Sequence, residues 1–217
     1  MEKFYLPIEK QARIYLNQFP HEHIQKCWLG LHGYGMLGQY FLPKFEPLFQ
    51  QDTLVIVPEA LSRFYLDPQY EKVGASWMTK EDRLLDIQEQ HLYLNKVYEQ
   101  FVKPLKSLEQ FNVLGFSQGV ATAWRWIQQQ KIQVDNLVIW AGSIPLEPVE
   151  SFYVEKLWLV YAEDDPYAKW VNPQVVKDWL NSQSIDYELI VFKGGHTMPK
   201  EVFENLIAKI HQNEYQP

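Results

Sequence analysis

Cys27 is the chain's only cysteine. This excludes an internal disulfide and any cysteine-built zinc site, and its setting in Cys27-Trp28-Leu29-Gly30-Leu31 reads as a buried strand thiol rather than a reactive one. Clustered Lys and Arg are also missing. With a formal net charge of -7, nucleic acid and anionic membrane surfaces are disfavoured as partners, since both require concentrated positive charge. No apolar run approaches bilayer-spanning length, and Met1-Glu2-Lys3-Phe4 does not lead into a signal peptide's apolar core, so stable membrane insertion is not expected and the expected compartment is the cytoplasm. Repeats, low-complexity tracts and Gly/Ser linkers are absent too. The 217 residues, 47% hydrophobic, are therefore expected to form a single domain, 1–217, as a monomer or homodimer.

Aromatic residues, by contrast, are abundant. Eight Trp, thirteen Tyr and twelve Phe exceed the usual needs of a core, so some are expected to line a cleft. Short apolar runs alternate with amphipathic stretches along the whole chain. Arg13 to Leu16, Cys27 to Leu31, Thr53 to Val57, Asn112 to Gly115, Asn136 to Trp140, Leu157 to Tyr161 and Glu188 to Phe192 read as strands. Leu84, Ile87, His91, Leu94, Tyr98 and Phe101 form one stripe of a helix ended by Pro104, and Val120, Ala123, Trp124 and Ile127 mark another. Asn172-Pro173 reads as a cap with a first-turn proline, and Pro199 opens a last helix carrying Val202, Phe203, Leu206 and Ile210. Such alternation predicts an α/β fold with a mostly parallel central sheet and helices on both faces.

The pentapeptide Gly115-Phe116-Ser117-Gln118-Gly119 lies between a predicted strand and a predicted helix. A serine at the apex of such a turn is held in a strained backbone conformation that demands small neighbours, and its hydroxyl projects above the sheet edge. A serine hydroxyl is a poor nucleophile unless a base accepts its proton and a third group orients that base. His196, in Gly194-Gly195-His196 after the last strand, is the candidate base. Asp165, in Asp164-Asp165-Pro166 after the strand ending at Tyr161, is the candidate acid, with Asp164 one residue away as its alternative. The order Ser117, Asp165, His196 is that of the α/β-hydrolases. Backbone N–H groups of Gln118 and of Tyr34, in His32-Gly33-Tyr34-Gly35, are the candidate oxyanion donors. His32, at the buried end of a strand, reads as structural; His91 reads as a core or rim residue, and His21 with His23 lacks further ligands for a metal. Trp77, Phe116, Tyr34, Tyr167 and Met198 are candidates for an apolar substrate-binding wall.

From about Cys27 to Pro199 the chain resembles the phospholipase/carboxylesterase family of α/β-hydrolases, which includes acyl-protein thioesterases and small bacterial carboxylesterases. The resemblance rests on Gly115 to Gly119, His32-Gly33, Pro58 with Ala60, Gly74-Ala75-Ser76-Trp77, Ala141-Gly142-Ser143-Ile144-Pro145, Asp165-Pro166 and Gly195-His196. It implies hydrolysis of carboxylic ester or thioester bonds through an acyl-enzyme, no metal or organic cofactor, and a small-molecule ester or acyl substrate. The fourteen residues from Gly142 to Glu155 also leave no room for a large lid domain. Two features depart from the family: Tyr34 to Gly38 lacks the usual acidic residue, and Leu61 to Lys80 is unusually aromatic and charged. The same triad would serve a peptidase or amidase, and a non-catalytic binding protein on the same scaffold is the third reading.

Overall fold

The computed structural model describes residues 1–149 and 151–213. In chain order the elements are β1 (Ile14–Leu16), β2 (Lys26–Leu31), α1 (Gly38–Phe41), which runs into a 3₁₀ turn at Leu42–Leu48, β3 (Thr53–Pro58), β4 (Ser62–Tyr65), β5 (Val73–Ser76) and α2 (Arg83–Val97). They continue with β6 (Gln110–Phe116), α3 (Gln118–Gln130), β7 (Val134–Trp140), β8 (Val154–Ala162), α4 (Ala168–Val171), α5 (Pro173–Ser182), β9 (Glu188–Phe192) and α6 (Lys200–Asn213). Seven strands form one sheet in the order β1-β3-β2-β6-β7-β8-β9. All its pairings are parallel except that of β1 with β3.

Strand parity explains the two-sided core. Leu29, Ile56, Val113, Leu137 and Leu159 face one layer with α2, α3 and α5, while Trp28, Val55, Leu114, Val138 and Trp158 face the other with α1, the 3₁₀ turn and α6. Asn112 and Asn136 are buried between parallel strands and need partners there. Asn136 Nδ2 donates to Asn112 Oδ1 at 2.8 Å, and Trp158 Nε1 donates to Asn136 Oδ1 at 2.8 Å, so the polar groups satisfy one another.

The strand pattern read from sequence corresponds to these strands, with one omission. Ser62–Tyr65 and Val73–Ser76 pair as a separate antiparallel hairpin, hidden in a segment whose charged residues break the apolar alternation. Two further expectations are corrected. Leu84, in the first turn of α2, has no covering layer and is 77% exposed, so the buried stripe begins at Ile87. The α2 helix also widens at Tyr98–Val102 into a π-turn, which still keeps Tyr98 and Phe101 against the core before Pro104. Among the described residues, no helix is long and apolar enough to cross a membrane.

Candidate active site

Ser117 lies between β6 and α3, with φ 53° and ψ −116°. A non-glycine residue at positive φ costs on the order of 1–3 kcal/mol, and the surroundings must hold it there. They do so by close approach. A Cβ at Gly119 would lie 2.1 Å from the Leu31 carbonyl oxygen, and one at Gly115 would lie 2.6 Å from the Val120 Cα. The Ser117 N–H donates to the Trp140 carbonyl at 2.9 Å, which fixes the turn to β7. The glycines in the pentapeptide are thus dictated by packing of the turn against β2 and α3.

Because β6, β8 and β9 run parallel, the residues that follow them emerge at the same sheet edge. His196 Nδ1 lies 2.8 Å from Asp165 Oδ2, with only 17% and 5% of the two side chains exposed. Asp165 Oδ1 accepts the Tyr167 N–H at 2.8 Å, so both carboxylate oxygens are engaged. Asp164 is exposed; its backbone N–H instead donates to Gly194 O at 3.1 Å, tying the two loops together. The pairing places the proton on His196 Nδ1, leaving Nε2 with the free lone pair. The His196 ring lies 5.0 Å from that of Phe116, the residue before Ser117, and 4.7 Å from that of Tyr167.

The loop after β2 faces Ser117 from the other side: a Cβ at Gly33 would come within 3.2 Å of the Ser117 Cβ. Gly35 N–H donates to Ala75 O at 2.9 Å and Met36 N–H to Gly33 O at 3.2 Å, while the Tyr34 N–H takes no backbone acceptor among the described residues. Gln118 is the first residue of α3, so its N–H is among those at a helix start without an intrahelical acceptor. Neither amide is thereby committed to a backbone acceptor.

His32 has the structural role read from sequence, and the scaffold around it beneath this loop was missed. His32 is fully buried; its Nδ1 bonds Gly33 O at 2.8 Å, and Ala60 N–H donates to its Nε2 at 3.0 Å. Burial lowers the pKa of His32 to about 4, against the opposing pull of the Gly33 carbonyl, so the ring stays neutral. Glu59, also buried, accepts the Gly38 N–H at 3.1 Å and lies 3.4 Å from Arg63 Nε. The Gln118 side chain accepts the Trp77 N–H at 3.0 Å and donates to Met78 O at 2.9 Å, clamping the end of β5 to the serine turn. Only the small residues around Trp77 hinted at this packing.

The candidates for the substrate wall differ in exposure. Trp77 donates its Nε1–H to His32 O at 2.8 Å and sits in the core, because that carbonyl needs a partner away from water. Phe116 and Met198 are likewise buried, in the layer under α6. Of the five, Tyr34 and Tyr167 are exposed, the Tyr34 ring lying 5.1 Å from that of Phe64. His91 is buried as expected of a core residue.

No family model matches the chain, and no curated protein matches it by sequence. Solved structures do. Esterase PE8 aligns with a TM-score of 0.71 at 18% identity, covering 94% of this chain and 99% of its own. Acyl-protein thioesterase 2 of Zea mays aligns at 0.70 and 16% identity, over 94% and 99%. A phospholipase/carboxylesterase from Dyadobacter fermentans aligns at 0.64 and 14% identity, over 93% and 97%. The chain has the α/β-hydrolase fold, without a large lid domain among its described residues.

Proposed function

We propose that this chain is a serine hydrolase that cleaves carboxylic esters through an acyl-enzyme formed on Ser117. One observation carries the reading: the hydrogen-bonded His196–Asp165 pair emerges at the same sheet edge as a serine held at positive φ. Structural likeness to an esterase, a thioesterase and a phospholipase/carboxylesterase supports the reaction class.

In this mechanism Ser117 Oγ attacks the ester carbonyl while His196 Nε2 takes its proton. Asp165 stabilises the resulting imidazolium and keeps the ring in register. The Tyr34 and Gln118 N–H groups hold the tetrahedral oxyanion, each worth roughly a hundredfold or more in rate. The alcohol leaves with the proton from His196, and water repeats the sequence on the acyl group. Thioesters and lysophospholipids fit the same chemistry, and Tyr34 and Tyr167 stand exposed beside the site.

Hydrolysis of short- and long-chain p-nitrophenyl esters by the wild type and by Ser117→Ala tests the proposal. Turnover should fall by about a thousandfold or more in the variant. Full turnover without the serine would refute it. Cleavage of amide analogues in preference to esters would favour a peptidase, and binding of small molecules without turnover of any of these substrates would favour a non-catalytic protein.

A further inference from the structure

The central sheet ends differently on its two sides. At one edge β1 is three residues long, too short to template a further strand. At the other, β9 runs over Glu188–Phe192 and pairs only with β8. It carries no proline and no lysine, and its charged residue, Glu188, is paired with Lys156 at 3.5 Å. The usual guards of an open edge are therefore missing from β9.

The direction of its backbone follows from one hydrogen bond. Glu163 N–H donates to Phe192 O at 2.9 Å, so Phe192 turns its peptide groups towards β8, and by alternation Ile190 and Glu188 do the same. Leu189 and Val191 point theirs outward, where no backbone partner meets them among the described residues. Their side chains are open as well. On the face that carries Leu159 and Tyr161, Leu189 is 43% and Val191 53% exposed, while Ile190 between them is buried on the opposite face with α6.

We propose that β9 is the edge at which two copies of this chain join, antiparallel about a two-fold axis at Ile190, so that their sheets become one. In that register Leu189 of each copy lies opposite Val191 of the other, and because both present N–H and C=O outward, the two pairs exchange about four hydrogen bonds. The exposed Leu189 and Val191 side chains meet across the junction, each covering apolar surface that the other leaves open. Glu188 falls opposite Phe192, so no like charges face each other. A different partner would have to supply a matching strand, whereas a copy already carries the complement, and two-fold pairs are the commonest closed assemblies. The junction does not depend on the serine chemistry proposed above.

Sedimentation velocity of the full chain between about 1 and 100 µM tests this, and we expect a dimer with a dissociation constant at or below about 10 µM. Leu189→Lys combined with Val191→Lys sets lysines opposite lysines at exposed positions, and should weaken the dimer at least about tenfold. A second measurement reads the register and covers the case in which the double-lysine protein unfolds. An equal mixture of Leu189→Cys and Val191→Cys places the two thiols opposite each other at a Cα separation of about 5.5 Å, within disulfide range. In either variant alone the new cysteines lie on the diagonal, about 7–8 Å apart and beyond that range. Mild oxidation should therefore link the mixture at least about fivefold more than either variant alone, with the buried Cys27 taking no part. A monomer at about 100 µM, a dimer undiminished in a folded double-lysine protein, or equal linking in all three samples overturns the proposal.

Discussion

At the scale of single residues, the hydrogen bond from His196 Nδ1 to Asp165 Oδ2 decides which ring nitrogen is basic. Asp165→Asn would present an amide whose N–H can favour the wrong tautomer, so kcat for ester hydrolysis should fall by about 10³–10⁴-fold. Asp164→Asn, at an exposed position, should leave kcat within about twofold; the reverse ranking would reassign the acid. His32 makes a different prediction, about stability. Its folded pKa of about 4 lies below the ordinary 6.5, so between those values the unfolded chain binds a proton that the folded chain excludes. The stability this contributes is intact above pH 6.5 and is lost as pH falls towards 4, with about 2 kcal/mol gone by pH 5. Urea unfolding at pH 7 and pH 5 should therefore show a larger acid loss in the wild type than in His32→Gln. Equal losses would remove His32 from the account.

At the scale of elements, the serine turn is held by contacts that leave no slack. Gly119→Ala would drive a Cβ to within 2.1 Å of a β2 carbonyl, and since backbone cannot yield cheaply, unfolding measurements should register a loss above about 3 kcal/mol. The β4–β5 hairpin depends on the same turn through Gln118. Gln118→Leu strands the Trp77 N–H and leaves the Met78 carbonyl with the Ser76 hydroxyl as its donor, and should lower the melting temperature by roughly 2–8 °C. A melting temperature unchanged from wild type would mean that the clamp is incidental. The central strands were legible because burial on both faces writes a nearly unbroken apolar run. The hairpin was not, because Ser62–Tyr65 is mostly exposed and carries no such run. Nor was the seating of Trp77: its indole points inward to His32 O, a partner that becomes visible only when β2 and β5 are brought together.

For the whole molecule, seven strands in one sheet bring Ser117, Asp165 and His196, spread over eighty residues, to a common edge. That convergence could be read from chain order, because parallel strands deliver their following loops to one side. The register between Asp164 and Asp165 could not be fixed in the same way, since it depends on how the loop after β8 folds back onto Gly194. The short β7–β8 connection was visible in the sequence as well, because so few residues separate the two apolar runs. The most direct test of the central claim is the intact mass of the protein after reaction with an alkyl fluorophosphonate, followed by peptide mapping. We expect one phosphonyl adduct per chain, on Ser117, absent from Ser117→Ala and formed far more slowly in His196→Gln. An unmodified wild type, or an adduct that persists when Ser117 is replaced, would contradict the account.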